Sequence, residues 1–436
     1  MPAPHYRARA RLTGASEAQM VARPMQDSAP TLGIRTDRAE SAYAWLRLLT
    51  SVLLGTIGSV GMWAYVVALP AVQADFGVAR ADASLPYTLG MLGFGIGAVA
   101  IGGLVDRFGI VAPVIAGALM LGLAFIASGL APNLMVFAIA NLVIGVGSSA
   151  TFAPLIADIS HWFTRRRGIA VAICASGNYI GGAVWPPIVQ GLIEVAGWRH
   201  SQIAIGVVCL YTMMPLVLAL RRRLPSHETE DVGAAAAGAT ASLGLSPHAL
   251  FALLCLAGVA CCVAMSMPQV HIVAYCADLG YGPARGAEML SAMLGFGIIS
   301  RVASGFIADR IGGVATLLVG SVMQAVALLL YLLFDGLTPL YVISALFGLF
   351  QGGIVPMYAV IVREYFPPRQ AGTLVGLVIM STILGMALGG WMSGAIFDLT
   401  GSYWQAFANG FLWNLLNIAI AVFLLRRGRA RRLQYA

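Results

Sequence analysis

A single arginine interrupts an apolar stretch that is the second copy of a repeat. GFGIGAVAIGGLVDRFG (residues 93–109) recurs about 200 residues later as GFGIISRVASGFIADRIG (295–312). The second copy is one residue longer, and it carries Arg301 where the first carries Val99 or its neighbour Ala98. A charge inside an apolar helix is costly and by default indicates function. Arg301 is therefore the first candidate for a site that binds an oppositely charged molecule.

Other polar or aromatic side chains in apolar stretches are weaker candidates for the walls of such a site. His271, in SMPQVHIVAYCADLG, could accept a proton or bond a polar substrate. It lies toward the outer end of its stretch, so a gate or interfacial role is equally compatible. The remaining candidates are Trp63, Tyr65, Asn141, Asn178, Tyr179 and Tyr358. Aromatic residues near helix ends often act as interfacial anchors, so Asn178 and Tyr179, which are flanked by glycines, are favoured.

The composition indicates a polytopic helical membrane protein. The chain is 59% hydrophobic and only 10% charged, whereas soluble domains are roughly one quarter charged. Many apolar runs reach the roughly 20 residues that cross a lipid bilayer. The six cysteines lack metal-ligand spacing. No nucleophile motif or phosphate loop is present, so neither an enzyme nor a metal or other cofactor is expected.

The net charge of +8 reflects topology and not a nucleic-acid partner. All basic side chains other than histidine are arginines, and they cluster at alternate ends of the apolar segments. Only Arg80, Arg199 and Arg285 fall on the opposite side. This asymmetry is the positive-inside pattern, and it predicts that both termini lie in the cytoplasm.

Twelve apolar segments divide the chain into two sets of six. They lie near 46–70, 84–104, 111–130, 134–157, 168–193, 200–220, 249–275, 284–307, 314–334, 337–361, 371–396 and 404–425. The predicted organisation is a disordered cytoplasmic tail (1–44), a first half (45–220), a flexible cytoplasmic linker (221–248), a second half (249–425) and a basic cytoplasmic tail (426–436).

The two halves also match beyond the first repeat. The segment from His161 aligns with the segment from Glu364, so that Gly168 meets Gly372 and Gly181 meets Gly385. Two homologous six-helix halves joined by a linker are typical of transporters that bind substrate between the halves and expose it alternately. The expected fold is therefore an all-α membrane protein with 12 transmembrane helices in two homologous halves.

A charged loop ends both copies of the repeat and predicts a gate. Its residues are Gly103, Asp106, Arg107 and Gly109 in the first copy, and Asp309, Arg310 and Gly312 in the second. An Asp and an Arg at such a turn can pair with neighbouring helix ends and hold a cytoplasmic gate that breaks in each cycle. The duplicated loop resembles the signature of the major facilitator superfamily, which implies the fold described above.

Three further elements resemble the bacterial members of the monocarboxylate-transporter and oxalate/formate-exchanger branch of that superfamily. They are Trp162–Gly168, Gly197–Arg199 and Asp398–Tyr403. The resemblance covers about 48–425 and implies a multi-pass protein of the bacterial inner membrane, with a monomer expected.

In that branch, a basic residue four before a glycine on the eighth helix binds the substrate carboxylate. Arg301 ahead of Gly305 matches it, and a guanidinium offers a carboxylate a planar fork of donors. The alternative is that Arg301 snorkels toward the cytoplasm or braces the halves. His271 also matches a family position on the seventh helix.

The departures from the branch leave the driving force open. The animal transporters pair this arginine with an aspartate on the same helix and use a lysine on the first, but this chain has no lysine and no carboxylate well inside a span. Exchange, symport with protons through His271 and facilitated uptake all remain possible. One fixed charge suits a mono-anion better than a small dianion.

Two other functions compete with uptake or exchange of a small organic anion. Drug or metabolite efflux antiporters resemble one another in a Gly-Pro-x-x-Gly-Gly element on the fifth helix. Here that helix reads GNYIGG (177–182), and the prolines are displaced to Pro186 and Pro187. A transporter-like sensor would need a partner-binding cytoplasmic element, which neither the tails nor the linker shows.

Overall fold

The computed structural model describes residues 41–163, 166–221 and 244–434. Most of the predicted N-terminal tail (1–44) and linker (221–248) lies outside these residues, as does the side chain of Asp106. Within them the chain is helical, and the fourteen helices are α1 (Ala42–Gly58), α2 (Val60–Phe76), α3 (Arg80–Phe108), α4 (Val111–Gly129), α5 (Leu134–Ser149), α6 (Ala153–Trp162), α7 (Arg167–Leu218), α8 (Pro247–Asp278), α9 (Pro283–Ile311), α10 (Gly313–Leu333), α11 (Leu337–Gln351), α12 (Ile354–Tyr365), α13 (Pro368–Thr400) and α14 (Tyr403–Gln434).

The helices form twelve membrane spans. Eleven helical stretches of the described residues are long and apolar enough to cross a bilayer. One of them is α7, and Gly197 divides it into two spans because its φ of 76° is not helical. Three other spans are each built from two helices, namely α1 with α2, α5 with α6, and α11 with α12. The prediction of twelve spans in an all-helical membrane protein is therefore confirmed.

Several helix ends follow from local sequence. Ser41, Asn133 and Ser246 each accept a hydrogen bond from the backbone N–H three residues later, so they cap α1, α5 and α8. The loop glycines of the repeat, Gly109 and Gly312, end α3 and α9 with φ values of 75° and 84°, which only glycine adopts without strain. The repeated turn is therefore repeated in backbone geometry.

Glycine sets the packing inside each half in the same way. A Cβ added at Gly145 of α5 would lie closer than 3.0 Å to the carbonyl oxygen of Gly90 on α3. A Cβ added at Gly348 of α11 would lie equally close to the carbonyl oxygen of Met293 on α9. Both residues of the second pair are 203 positions after those of the first. Helices without a hydrophobic driving force between them approach closely where such small residues meet, so the halves share one packing scheme.

Among the described residues, two antiparallel helix contacts make up most of the junction between the halves, and α2 also packs against α8. The α3–α13 seam runs from Gly394 against the Arg80 backbone to Gly95 against Met380. The α7–α9 seam begins where the hydroxyl of Ser291 donates to the carbonyl of Ala183. It runs through Gly182, which faces Leu294, and ends at Tyr179 and Arg301.

The halves separate at one end of the molecule. We call this the arginine-rich end, because it carries the exposed Arg107, Arg166, Arg310, Arg363 and Arg427. Near this end, five glycines lie on helices that face the other half, and a Cβ added to any of them would meet no atom within 4 Å. They are Gly102, Gly103, Gly305, Gly372 and Gly376. Val99 and Phe306 are about 70% and 69% exposed. The conformation therefore has a cleft that opens at the arginine-rich end and is closed at the opposite end.

Candidate substrate-binding site

Arg301 lies where the cleft closes. It is half-buried on α9, and its guanidinium carbon lies 4.2 Å from the centre of the Tyr179 ring on α7. Its Nε is 3.5 Å from the carbonyl oxygen of Gly352, at the break between α11 and α12. Within the described residues it forms no ion pair with a carboxylate. A positive side chain at the apex of a cleft, stabilised by a ring and not by an anion, can accept an anion from the cleft.

The Tyr179 ring reaches Arg301 because α9 has a glycine one turn earlier. A Cβ at Gly297 would lie closer than 3.0 Å to the ring of Tyr179. Residues four apart share one face of a helix, so the ring fills the groove at Gly297 and continues under the guanidinium of Arg301. A cation over the face of an aromatic ring is attracted by the ring quadrupole. Tyr179 therefore holds Arg301 across the boundary between the halves.

Two other predicted site residues, Asn178 and Trp63, lie in the first half. The amide of Asn178 contacts the sulfur of Met62 on α2 at 3.3 Å. Trp63 is buried, and its indole nitrogen has no hydrogen-bond partner among the described residues. The same nitrogen would lie 2.9 Å from a Cβ at Gly182, on the α7–α9 seam. A buried donor without a partner beside the seam is available to a bound polar group.

The remaining predicted wall residues already have partners inside their own halves. The hydroxyl of Tyr65 donates to the carbonyl of Ala83. The amide of Asn141 donates to Phe137 on its own helix at 2.9 Å. The hydroxyl of Tyr358 donates to the side chain of Asn417 at 3.1 Å. Asn417 in turn donates to the hydroxyl of Ser321, and Asn414 donates to the backbone carbonyl of the same serine. The structure gives these three residues roles in bundle packing and does not bring them to Arg301.

His271 lies in a buried polar network at the closed end of the molecule. Its Nε2 is 2.8 Å from the carbonyl oxygen of Gly390, and its Nδ1 is 3.0 Å from the hydroxyl of Tyr403. That hydroxyl also accepts a hydrogen bond from Arg80 at 2.5 Å. The histidine is therefore part of the closure between the halves and is remote from Arg301, which lies at the other end of the closed region.

Sequence reasoning missed the role of Arg80, which the charge pattern had only assigned to one side of the membrane. Its two terminal nitrogens are 3.0 and 3.2 Å from the two carboxylate oxygens of Asp278 on α8. Its backbone N–H and that of Ala81 donate to Asp398 on α13 at 2.9 and 2.7 Å. All of these bonds cross from the first half to the second. The Asp398–Tyr403 element was the available signal, because it supplies two of the partners.

A second missed ion pair lies at the arginine-rich end within the first half. Arg47 of α1 is buried, and its guanidinium makes a bidentate pair with Asp158 of α6 at 2.6 and 2.8 Å. It also donates to the carbonyl of Leu220 at 2.9 Å and lies over the ring of Trp162. This cluster fixes the first span against the fourth and the sixth.

The predicted gate loops lie at the open end. Arg107, Asp309 and Arg310 are exposed, and none of them forms an ion pair with a described residue. Gly103 faces open space. In the second half, Glu364 accepts a hydrogen bond from the backbone of Gly313 at 3.0 Å, which ties the end of α12 to the loop after α9. These loops are therefore separated in this conformation, and their gating role remains a prediction.

Comparison with known proteins agrees with this architecture. The model of the Major Facilitator Superfamily matches residues 52–339 and 277–434. The chain is 26% identical over 384 residues to monocarboxylate transporter 13 of Bos taurus, covering 86% of this chain and 88% of that protein. It is 25% identical over 343 residues to the uncharacterized MFS-type transporter YcxA of Bacillus subtilis (strain 168), covering 77% and 83%.

A solved structure shares the fold. A bacterial homolog to the human lysosomal transporter Spinster, in an inward-facing and unoccupied conformation, superposes with a TM-score of 0.66 at 16% identity, covering 90% of this chain and 97% of that chain. The predicted family, the fold class and the expectation of a transporter and not an enzyme are confirmed. The chain belongs to the major facilitator superfamily of membrane transporters.

Proposed function

We propose that this protein is a secondary active transporter that moves a small organic anion, a carboxylate, across the bacterial inner membrane by alternating access. The observation that carries the proposal is Arg301, a positive side chain at the apex of the cleft with no carboxylate partner among the described residues. The names of the relatives support it, since one that spans most of the chain is called a monocarboxylate transporter.

The geometry at Arg301 suits a carboxylate. One face of the guanidinium lies on the Tyr179 ring, and Nε is directed at the Gly352 carbonyl. The terminal nitrogens make no hydrogen bond to a described residue, so they can donate two parallel bonds to one carboxylate group. Because this site has one fixed charge, we expect a mono-anion to be preferred to a small dianion.

The two seams between the halves support an alternating-access cycle. We propose that the halves (45–220 and 249–425), joined by the linker (221–248), rock about Arg301, so that the cleft closes at the arginine-rich end as the opposite end opens. The positive-inside rule predicts that the arginine-rich end and both termini lie in the cytoplasm. The described conformation then faces the cytoplasm. A fluorescent protein fused to the C-terminus should fluoresce, and alkaline phosphatase fused there should be inactive; the reverse result would contradict this orientation.

Transport by purified protein in proteoliposomes tests the function. Labelled mono- and dicarboxylates are offered with and without a pH gradient, and uptake is compared for the wild type, Arg301→Ala and the matched control Arg285→Ala. Arg285 is on the same helix but is exposed, and its ion pair is with Glu288 of that helix. Charge-assisted hydrogen bonds contribute about 1.5–3 kcal/mol each, so uptake by Arg301→Ala should fall at least tenfold.

Each outcome of this experiment decides a separate part of the proposal. Uptake of no carboxylate by the wild type would overturn the substrate class. Normal uptake by Arg301→Ala would overturn the site, and equal losses in both variants would show that charge on α9 matters only for folding. Faster transport of dianions than of mono-anions would contradict the preference drawn from the single charge.

A further inference from the structure

The buried network around His271 has one direction of hydrogen bonding. The carbonyl of Gly390 can only accept, so the Nε2 of His271 carries the hydrogen that it donates there. In a neutral ring Nδ1 is then an acceptor, and the hydroxyl of Tyr403 donates to it. The oxygen of that hydroxyl accepts from Arg80. The chain of bonds runs from Arg80 through Tyr403 to His271, and it requires a neutral histidine.

A protonated His271 does not fit this closed network. With a hydrogen on both ring nitrogens, His271 and Arg80 would donate to the same hydroxyl oxygen, so two cations would share one buried group. The hydrogen of Tyr403 would also lose its acceptor, and a buried polar group without a partner is costly. His271 and Tyr403 are both almost completely buried, so water cannot compensate.

The charges around His271 change when this end of the molecule opens. Arg80 belongs to α3 of the first half, whereas His271, Tyr275 and Asp278 belong to α8, Asp398 to α13 and Tyr403 to α14. Separation of the halves removes the guanidinium and leaves the carboxylates of Asp278 and Asp398 in the half that carries the histidine. Two buried tyrosines of the first half are also neighbours. Tyr65 of α2 is bonded to Ala83, and the ring of Tyr87 on α3 lies against Gly390. The charges of α9 at this end, Arg285 and Glu288, pair with each other.

From this arrangement we propose that His271 is a proton-binding site that is closed to protons in the described conformation and accepts one when Arg80 withdraws. The proton adds to Nδ1 from water at the opened end, and the hydroxyl of Tyr403 is released to solvent. Closing requires that the proton return to water. The proposal rests on the rocking motion described above and not on the identity of the substrate.

By linkage, acid then favours the open form of this end. Where the open form binds one more proton than the closed form, the equilibrium shifts up to tenfold for each pH unit. A distance measurement on the full-length protein tests this without any substrate. Spin labels at Ala79→Cys and Leu399→Cys, both exposed and on opposite halves, report the separation at pH 7.5 and 5.5. Addition of the anion is not needed, so an error in the proposed substrate or in the role of Arg301 does not affect the result.

His271→Gln is the informative variant because a glutamine amide can donate to Gly390 and accept from Tyr403 but cannot bind a proton at these pH values. The wild type should shift toward longer distances at pH 5.5, and His271→Gln should show one distribution at both pH values. The same exchange at the exposed His200, which lies near the same end, is the control and should behave as the wild type. A full acid shift in His271→Gln, or none in the wild type, would overturn the proposal.

Arg80→Gln provides a second test if His271→Gln does not fold. Without the guanidinium, protonation of His271 no longer places two cations on one hydroxyl. The separation should therefore be longer at both pH values, and the change between them should be smaller than in the wild type. An unchanged acid shift in Arg80→Gln would contradict the role assigned to the arginine.

Discussion

The guanidinium of Arg301 lies 4.2 Å above the ring of Tyr179, and the two residues belong to different halves of the protein. The pseudo-equivalent contact on the other seam is apolar. There Gly95 faces Met380 and Ile383, and the residue one turn later on α3 is Val99. The two repeats therefore differ at their seams, because the apolar side chains of Met380 and Ile383 lie on one seam where Arg301 and Tyr179 meet on the other.

Exchange of Tyr179 separates the roles of its ring and its hydroxyl. Tyr179→Leu removes the ring face, so Arg301 loses a contribution of about 0.5–2 kcal/mol, and we expect the KM for the transported anion to rise about two- to thirty-fold. Tyr179→Phe keeps the ring and should restore the wild-type KM within about twofold. The measurement is initial uptake against substrate concentration in proteoliposomes.

A different pattern would change the role of the tyrosine. If Tyr179→Phe raised KM as much as Tyr179→Leu, the hydroxyl would be a substrate contact and the ring would not position Arg301. If both variants lowered the maximal rate with KM unchanged, the contact would serve the movement of the halves and not the binding of the anion.

The sequence predicts the spans well because each is an apolar run bounded by glycine, proline or polar residues, and the repeat predicts that they form two halves. It also marks Arg301, since a charge inside such a run is conspicuous. It cannot show that Tyr179 lies beneath Arg301, because that contact depends on the packing of α7 against α9. A tyrosine in an apolar run is equally compatible with an interfacial anchor.

The same limit explains the missed network at the closed end. Arg80 lies next to a helix end, and sequence counting treats every such arginine as a topological signal. Asp278, Asp398 and Tyr403 lie near three other helix ends, far away along the chain. The folding of the second half gathers these three residues, and only the closure of the halves at this end brings Arg80 to them. Closure is a property of the conformation and not of any one segment.

Removal of the Asp398 carboxylate should weaken the closed end. This carboxylate accepts hydrogen bonds from the first two backbone N–H groups of α3, so a residue of one half caps a helix of the other. A helix cap contributes about 0.5–2 kcal/mol, and Asp398 is exposed. We therefore expect Asp398→Ala to increase the open fraction about two- to fivefold, measured with the spin-label pair at pH 7.5. Asp335→Ala, an exposed aspartate near the same end, should leave the distances unchanged, and an equal effect in both would refute the capping role.

Loss of Asp158 should destabilise the first half. The side chain of its partner Arg47 is only 2% exposed and that of Asp158 is 15% exposed, so Asp158→Ala leaves a buried guanidinium without its carboxylate. Breaking a buried pair in this way costs about 3–5 kcal/mol, and we expect a fall of several degrees in the Tm of the detergent-purified protein. The control is Asp75→Ala, whose pair with Arg199 is 43% and 36% exposed and should contribute less than about 1 kcal/mol. Equal Tm values for the two variants would contradict the structural role of Arg47.

Alanine at the glycine crossings should separate helices that the transport cycle moves as one body. A Cβ at Gly145 or Gly348 would meet a backbone carbonyl oxygen at less than 3.0 Å, and neither backbone can yield without displacing α3 from α5 or α9 from α11. Overpacking of this kind costs about 1–3 kcal/mol, so Gly145→Ala and Gly348→Ala should each lower the Tm and slow transport.

Gly191→Ala is the matched control, because a Cβ there meets no atom within 4 Å and alanine favours a helix by about 1 kcal/mol over glycine. It should keep the wild-type rate with an equal or higher Tm. Since Gly145 and Gly348 occupy equivalent positions in the two halves, losses of similar size are expected, and tolerance of alanine at either position would show that the helices there are not in close contact.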